Sequence, residues 1–152
     1  MPPASDPRQR AWARFVVANA LLTERIETAF AAAGLPSLDW YDVLWMLERS
    51  EHGRLRMADL AEQAVVSRSN VTRLADRLEK AGLVARMNCP VDGRSTYCVL
   101  TDKGRALRAR MWPVYRRQIE SLFGGHLSVR EAEEMTKVFE RIISSAKERS
   151  KS

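Results

Sequence analysis

The stretch Ser67-Arg-Ser-Asn-Val-Thr-Arg-Leu-Ala-Asp-Arg-Leu-Glu-Lys-Ala81 decides how the rest of the chain is read. Val71, Leu74, Leu78 and Ala81 recur at spacings of three and four, which places them on one stripe of a single amphipathic helix. The opposite face carries Ser69, Asn70, Arg73, Arg77 and Lys80, hydrogen-bonding and cationic groups with the reach for base edges and phosphates. Ser67 stands where an N-cap is needed, and Gly82 where a left-handed stop is needed. Upstream, residues 57–64 form a short helical pattern with Leu60 and Ala61 inward, and only Val65-Val66 separates it from the longer helix. Two short helices on so tight a link predict a helix-turn-helix. Downstream, residues 83–88 and 95–100 read as strands around Cys89-Pro-Val-Asp-Gly-Arg94, a segment rich in turn residues. Helix, helix and a hairpin with a charged tip describe a winged helix-turn-helix, assigned to residues 37–101.

Working outward, residues 6–33 carry Trp12, Phe15, Val16, Leu22, Ile26, Ala29 and Phe30 at helical spacing, and Gly34-Leu-Pro36 ends that helix. Ser37 is expected to cap a second helix running to about Arg49, and Glu51-His-Gly53 is a turn. Arg54-Leu-Arg56 is extended and able to add a third strand to the wing, because an isolated hairpin is marginal. After the wing a long helix starts at Thr101 or Asp102 and stops at Gly124-Gly125, with a bend or local break expected at Pro113. Ser128 and Glu131 form a capping box for the last helix, whose apolar stripe is Ala132, Met135, Val138, Phe139, Ile142 and Ile143. A frayed tail is expected from Lys147 onward. The terminal helices are too apolar to serve only as a cover for a small winged-helix module. Their stripes predict a helical interface between two copies.

The fold class is therefore mostly α with a small β wing: one domain over 1–152, with dimerisation helices at 6–36 and 102–149 forming a lobe beside the winged helix-turn-helix. A chain of 152 residues is long enough to bury a proper core, and 45% hydrophobic with 29% charged residues is an ordinary globular composition. No apolar run approaches the roughly 20 residues that span a bilayer, so no membrane partner is expected. The start, Met1-Pro-Pro-Ala-Ser-Asp-Pro7, has no apolar signal core, and a cytoplasmic location is expected.

The net charge of +6 is unevenly spread. Residues 53–117 carry 14 Lys and Arg against 6 Asp and Glu, whereas the remainder carries 11 against 13. All of the positive excess lies in the proposed DNA-binding stretch and the helix leaving it, which points to a polyanion. If the long helix enters the major groove, Ser69, Asn70 and Arg73 meet bases, while Arg77 and Lys80 meet or support phosphates. Ser67, Arg68 and Thr72, at the start of the same helix, complete the candidate DNA-contacting set. An Arg fork on guanine is worth about 1–3 kcal/mol of discrimination. The competing reading of Arg77 pairs it with Asp76 or Glu79 on a solvated surface.

The segment resembles the DNA-binding lobe of the MarR family of bacterial regulators. The matching features are Leu60-Ala61, Ser67 through Leu78, Gly82-Leu-Val84, and above all Asp92-Gly-Arg94 running into Val99-Leu-Thr-Asp-Lys-Gly104. Length and flanking helices extend the resemblance over nearly the whole chain. It implies that the terminal helices interleave into a two-fold homodimer. Two related recognition helices would then read pseudo-palindromic double-stranded DNA with half-sites roughly 10 bp apart. It also implies that Arg94 enters the minor groove while Asp92 orients it, with Gly93 permitting the tight backbone between them. The alternative there is an ordinary loop salt bridge. Finally, it implies a small aromatic or phenolic ligand at the junction of the dimer helices and the DNA-binding lobe. Trp12, Trp45 and Tyr115 are the candidate lining, although core is the favoured reading for most aromatic stripes of this kind.

Cys89 and Cys98 are the only cysteines. Pairing Asn88 with Thr96 in the hairpin sets Cys98 opposite Arg86, so an internal disulfide is not expected and structural thiols are the favoured reading. His52 and His126 have no partners at metal-ligand spacing, and no nucleophile-base constellation is present. An enzyme, a metal site and a cofactor are not expected. The leading expectation is a homodimeric, ligand-released transcriptional repressor. The alternatives are a winged-helix module that binds protein and a thiol-based redox-sensing regulator of the same fold.

Overall fold

The computed structural model describes residues 6–64, 68–89, 91, 93 and 95–151, with residues 68 and 69 described through their backbone. The chain divides into two compact units, with the division between Tyr115 and Arg116.

The first unit opens with α1 (Pro7–Ala32), whose first free amide, that of Arg8, is capped by the Asp6 carboxylate at 2.8 Å. It closes through Gly34 at a φ of +68°, a conformation that disfavours any side chain. α2 (Leu38–Glu48) follows, but Ser37 makes no side-chain capping bond. The amide of Leu38, at the first helical position, donates to Glu27 Oε1 on α1 at 2.8 Å, so the neighbouring helix satisfies one free amide of this end. A 3-10 turn at Glu51–Gly53, with His52 and Gly53 both at positive φ, leads to β1 (Arg54–Arg56).

Next come α3 (Met57–Gln63), α4 (Arg68–Lys80), β2 (Val84–Asn88) and β3 (Thr96–Leu100). The strands form one antiparallel sheet in the order β1-β3-β2, so the expected third strand is present. Asn88 faces Thr96 and Arg86 faces Cys98, which is the register read from the sequence. Val65, Val66 and Ser67 lie outside the described residues, as do Pro90, Asp92 and Arg94. The main core gathers Leu44 and Leu47 of α2, Leu60 of α3, Val71, Leu74 and Leu78 of α4, and Val84, Cys98 and Leu100 of the sheet.

α5 (Asp102–Leu122) is stitched to the end of α4 at its first turn. Thr101 Oγ1 donates to the Gly82 carbonyl at 2.7 Å and accepts from the Gly104 amide at 3.1 Å, and Lys103 Nζ donates to the Ala81 carbonyl at 2.8 Å. A Cβ on Gly104 would lie 2.1 Å from the Leu83 carbonyl oxygen, so only glycine allows this crossing. This packing gives the stretch Leu100-Thr-Asp-Lys-Gly104 its physical content. A second core forms where α1, α2 and α5 meet, around Ile26, Phe30, Tyr41 and Met111. α5 stays helical past Pro113, so the local break considered from the sequence does not occur.

The second unit holds the end of α5, a 3-10 turn at Gly124–His126 and α6 (Val129–Ser150). Ser128 and Glu131 form the expected capping box. α6 remains helical through the expected frayed segment as far as Ser150, and among its described residues none is buried.

Candidate nucleic-acid interface

The buried face of α4 is Val71, Leu74, Ala75 and Leu78, each no more than 5% exposed. Ala75 joins the expected stripe, and Ala81 at its end is only half-buried. Anchored by that face, the helix presents Asn70, Thr72, Arg73, Arg77 and Lys80 to solvent on the opposite side. Among the described residues neither Arg73 nor Arg77 has an ion-pair partner. Of the two expected competitors for Arg77, Asp76 pairs with Arg86 on β2, and Glu79 makes no ion pair with Arg77. Ser67 and the side chains of Arg68 and Ser69 lie outside the described residues. Arg94 and Asp92 do as well, while Gly93 is exposed, is not in the left-handed region and has open space where a Cβ would stand. The loop that carries them is closed by the Cys89 amide donating to the Ser95 carbonyl at 2.8 Å.

Sequence reasoning missed a cationic feature beside the wing. Arg54 of β1 lies 4.5 Å from the centre of the Tyr97 ring and Arg56 lies 6.0 Å from it. The β1–β3 register could have revealed it, since Arg56 is directly opposite Tyr97.

The candidate ligand residues occupy separate settings. Trp45, 41% exposed, is covered by the Arg108 guanidinium at 5.2 Å, and Arg108 in turn pairs with Glu48 at the end of α2. Arg105 reaches the same Glu48 carboxylate at 3.2 Å. Tyr115 packs edge-on against Tyr41 at 4.9 Å, Phe30 at 5.8 Å and Trp112 at 6.1 Å. Both Trp45 and Tyr115 thus belong to the α2–α5 contact. Trp12 is 59% exposed beside Phe15 at 5.9 Å. Helical rise sets it roughly 27 Å along α1 from Phe30. One chain does not bring all three together.

Electrostatics sharpen the picture at two groups. Burial, followed by the carboxylates of Asp39 and Glu27, pushes Asp42 up to about 6. Burial pushes the Cys98 thiol up to about 11, and both cysteines are free and buried. A thiol held protonated is a poor peroxide sensor. Among the described residues no His, Cys, Asp and Glu cluster is placed to hold a metal, and no helix is long and apolar enough to cross a membrane.

Comparison with known proteins agrees with this geometry. A family model described as MarR family matches residues 39–96. The HTH-type transcriptional regulator FarR of Neisseria gonorrhoeae is 43% identical over 68 residues, covering 43% of this chain and 47% of that protein. The chain spans about half the length of the curated relatives it matches. Among solved structures, AbsC, a MarR family transcriptional regulator from Streptomyces coelicolor, is 30% identical with a TM-score of 0.85, covering 96% of this chain and 98% of that one. Sco3205, a second such regulator from the same organism solved in complex with DNA, is 26% identical with a TM-score of 0.84, covering 96% and 91%.

Proposed function

Because this chain belongs to the MarR family of transcriptional regulators, we propose that it acts as a homodimeric, sequence-specific DNA-binding repressor released by a small aromatic ligand. The observation that carries this reading is the exposed face of α4. Asn70, Arg73 and Arg77 stand in solvent on a helix whose other side is locked into the core. Such a helix fits the major groove, its early residues at base edges and its later cations at phosphates. Arg94 at the wing tip reaches the adjacent minor groove, with Asp92 and Gly93 shaping the tip.

The dimer covers apolar side chains that one chain leaves in water. Trp12, Val17 and Leu21 of α1 are 59%, 50% and 56% exposed, and Ile142 and Ile143 of α6 are 57% and 52% exposed. The terminal helices are therefore the dimerisation elements, and residues 37–101 are the DNA-reading lobe. A ligand inserted at the α2–α5 contact, against Trp45 and Tyr115, shifts the population toward lobe spacings that do not match the operator. Trp12 joins that site only if it comes from the second copy.

The test is the affinity of the wild type, Arg77→Ala and Arg94→Ala for duplex DNA across a salt series. Each substitution weakens binding and lowers the slope of log K against log salt by about one. A slope unchanged by Arg94→Ala removes the wing contact, and one unchanged by Arg77→Ala removes the phosphate contact at the end of α4.

A further inference from the structure

Asp76 is the acidic side chain in the middle of the cationic face of α4, between Arg73 three residues before it and Lys80 four residues after it. Both spacings bring side chains together on a helix, and an acid preceding a base at i, i+4 is the favoured order. Neither pair forms. Asp76 Oδ1 instead accepts from Arg86 Nη2 at 2.5 Å, across to β2.

Arg86 is built for this reach. Its strand position faces the buried Cys98, on the core side of the sheet, yet its side chain is 30% exposed and emerges at the flank of α4. Its buried Nε has no hydrogen-bond acceptor among the described residues, so the Asp76 carboxylate is what anchors the guanidinium. A carboxylate released at this position would turn to Arg73 or Lys80 and cancel a charge that DNA contact needs. We propose that Arg86 is a positioning residue that occupies Asp76 and thereby keeps Arg73 and Lys80 available to DNA without itself touching DNA. The inference rests on the DNA-binding reading above.

The experiment uses the full chain and a mixed-sequence duplex, with binding followed across a salt series for Arg86→Gln, Asp76→Asn and the double variant. Arg86→Gln weakens binding on the order of ten-fold and makes the salt slope shallower by about one, because the freed carboxylate neutralises one cation. Asp76→Asn binds at least as tightly as the wild type. The double variant returns to wild-type affinity and slope, since no carboxylate remains to compete.

A double variant as weak as Arg86→Gln would mean that Arg86 contacts DNA directly. Loss of affinity in Asp76→Asn would mean that the tie between α4 and β2 matters for its own sake. Either result overturns the proposal. If Arg86→Gln does not fold, Asp76→Asn decides alone: equal or tighter binding supports the proposal and weaker binding overturns it. Absence of binding by the wild type overturns the DNA reading instead, and is distinguishable from all of these.

Discussion

Asp42 shows how much one residue's surroundings can matter. It is half-buried on α2 with Asp39 one turn before it and Glu27 across on α1, and its carboxyl rises from the ordinary 3.8 to about 6. A folded pKa above the unfolded one means that the native state keeps the proton longer. Stability contributed by this group is present at low pH and is lost as pH rises from about 4 to 6. Asp42→Asn removes that loss. The variant is expected to melt higher than the wild type at neutral pH, by on the order of 1–2 kcal/mol after allowing for the solvent that still reaches the group. At pH near 4 the two are expected to melt alike. Thermal melts at stepped pH check this, and an equal difference at both ends contradicts it. None of this was legible in the sequence, because Glu27 approaches Asp42 only through the packing of α1 on α2. The tie from the Leu38 amide to Glu27 is likewise a product of that packing, and nothing local to Ser37 announces it.

Elements were far more legible than residues. Helix periodicity located α4, and turn chemistry located the wing. Pairing Asn88 with Thr96 across the hairpin then gave the register that puts Arg86 opposite Cys98. These signals are local, so one sequence carries them. What the sequence could not resolve was which aromatic stripes meet. Trp45, Tyr115 and Trp12 sit on three helices, and only packing separates the α2–α5 contact from the far end of α1. The ligand prediction belongs to this contact. Titration with a panel of phenolic acids is expected to quench tryptophan emission saturably, to lose most of the quench in Trp45→Phe, and to release bound duplex over the same concentration range. Flat titrations across the panel would remove the ligand from the account. Pro113 gave a second element-level lesson, because α5 absorbs it without ending.

At the scale of the whole molecule, the positive surplus between residues 53 and 117 and the apolar stripes of the terminal helices describe two jobs for one chain. The basic stretch takes in α4, the wing and most of α5, while α1 and α6 keep large apolar side chains in water. The proposed two-fold assembly would cover those side chains and set a constraint on the DNA. The measurement that reaches this claim most directly is selection of bound duplexes from a random library by the intact protein, followed by affinity for the winners at several salt concentrations. The account predicts an inverted repeat with half-sites roughly 10 bp apart and a steep negative salt slope. Recovery of no common motif, with only weak salt-sensitive binding, would contradict it and leave a basic surface without a sequence to read.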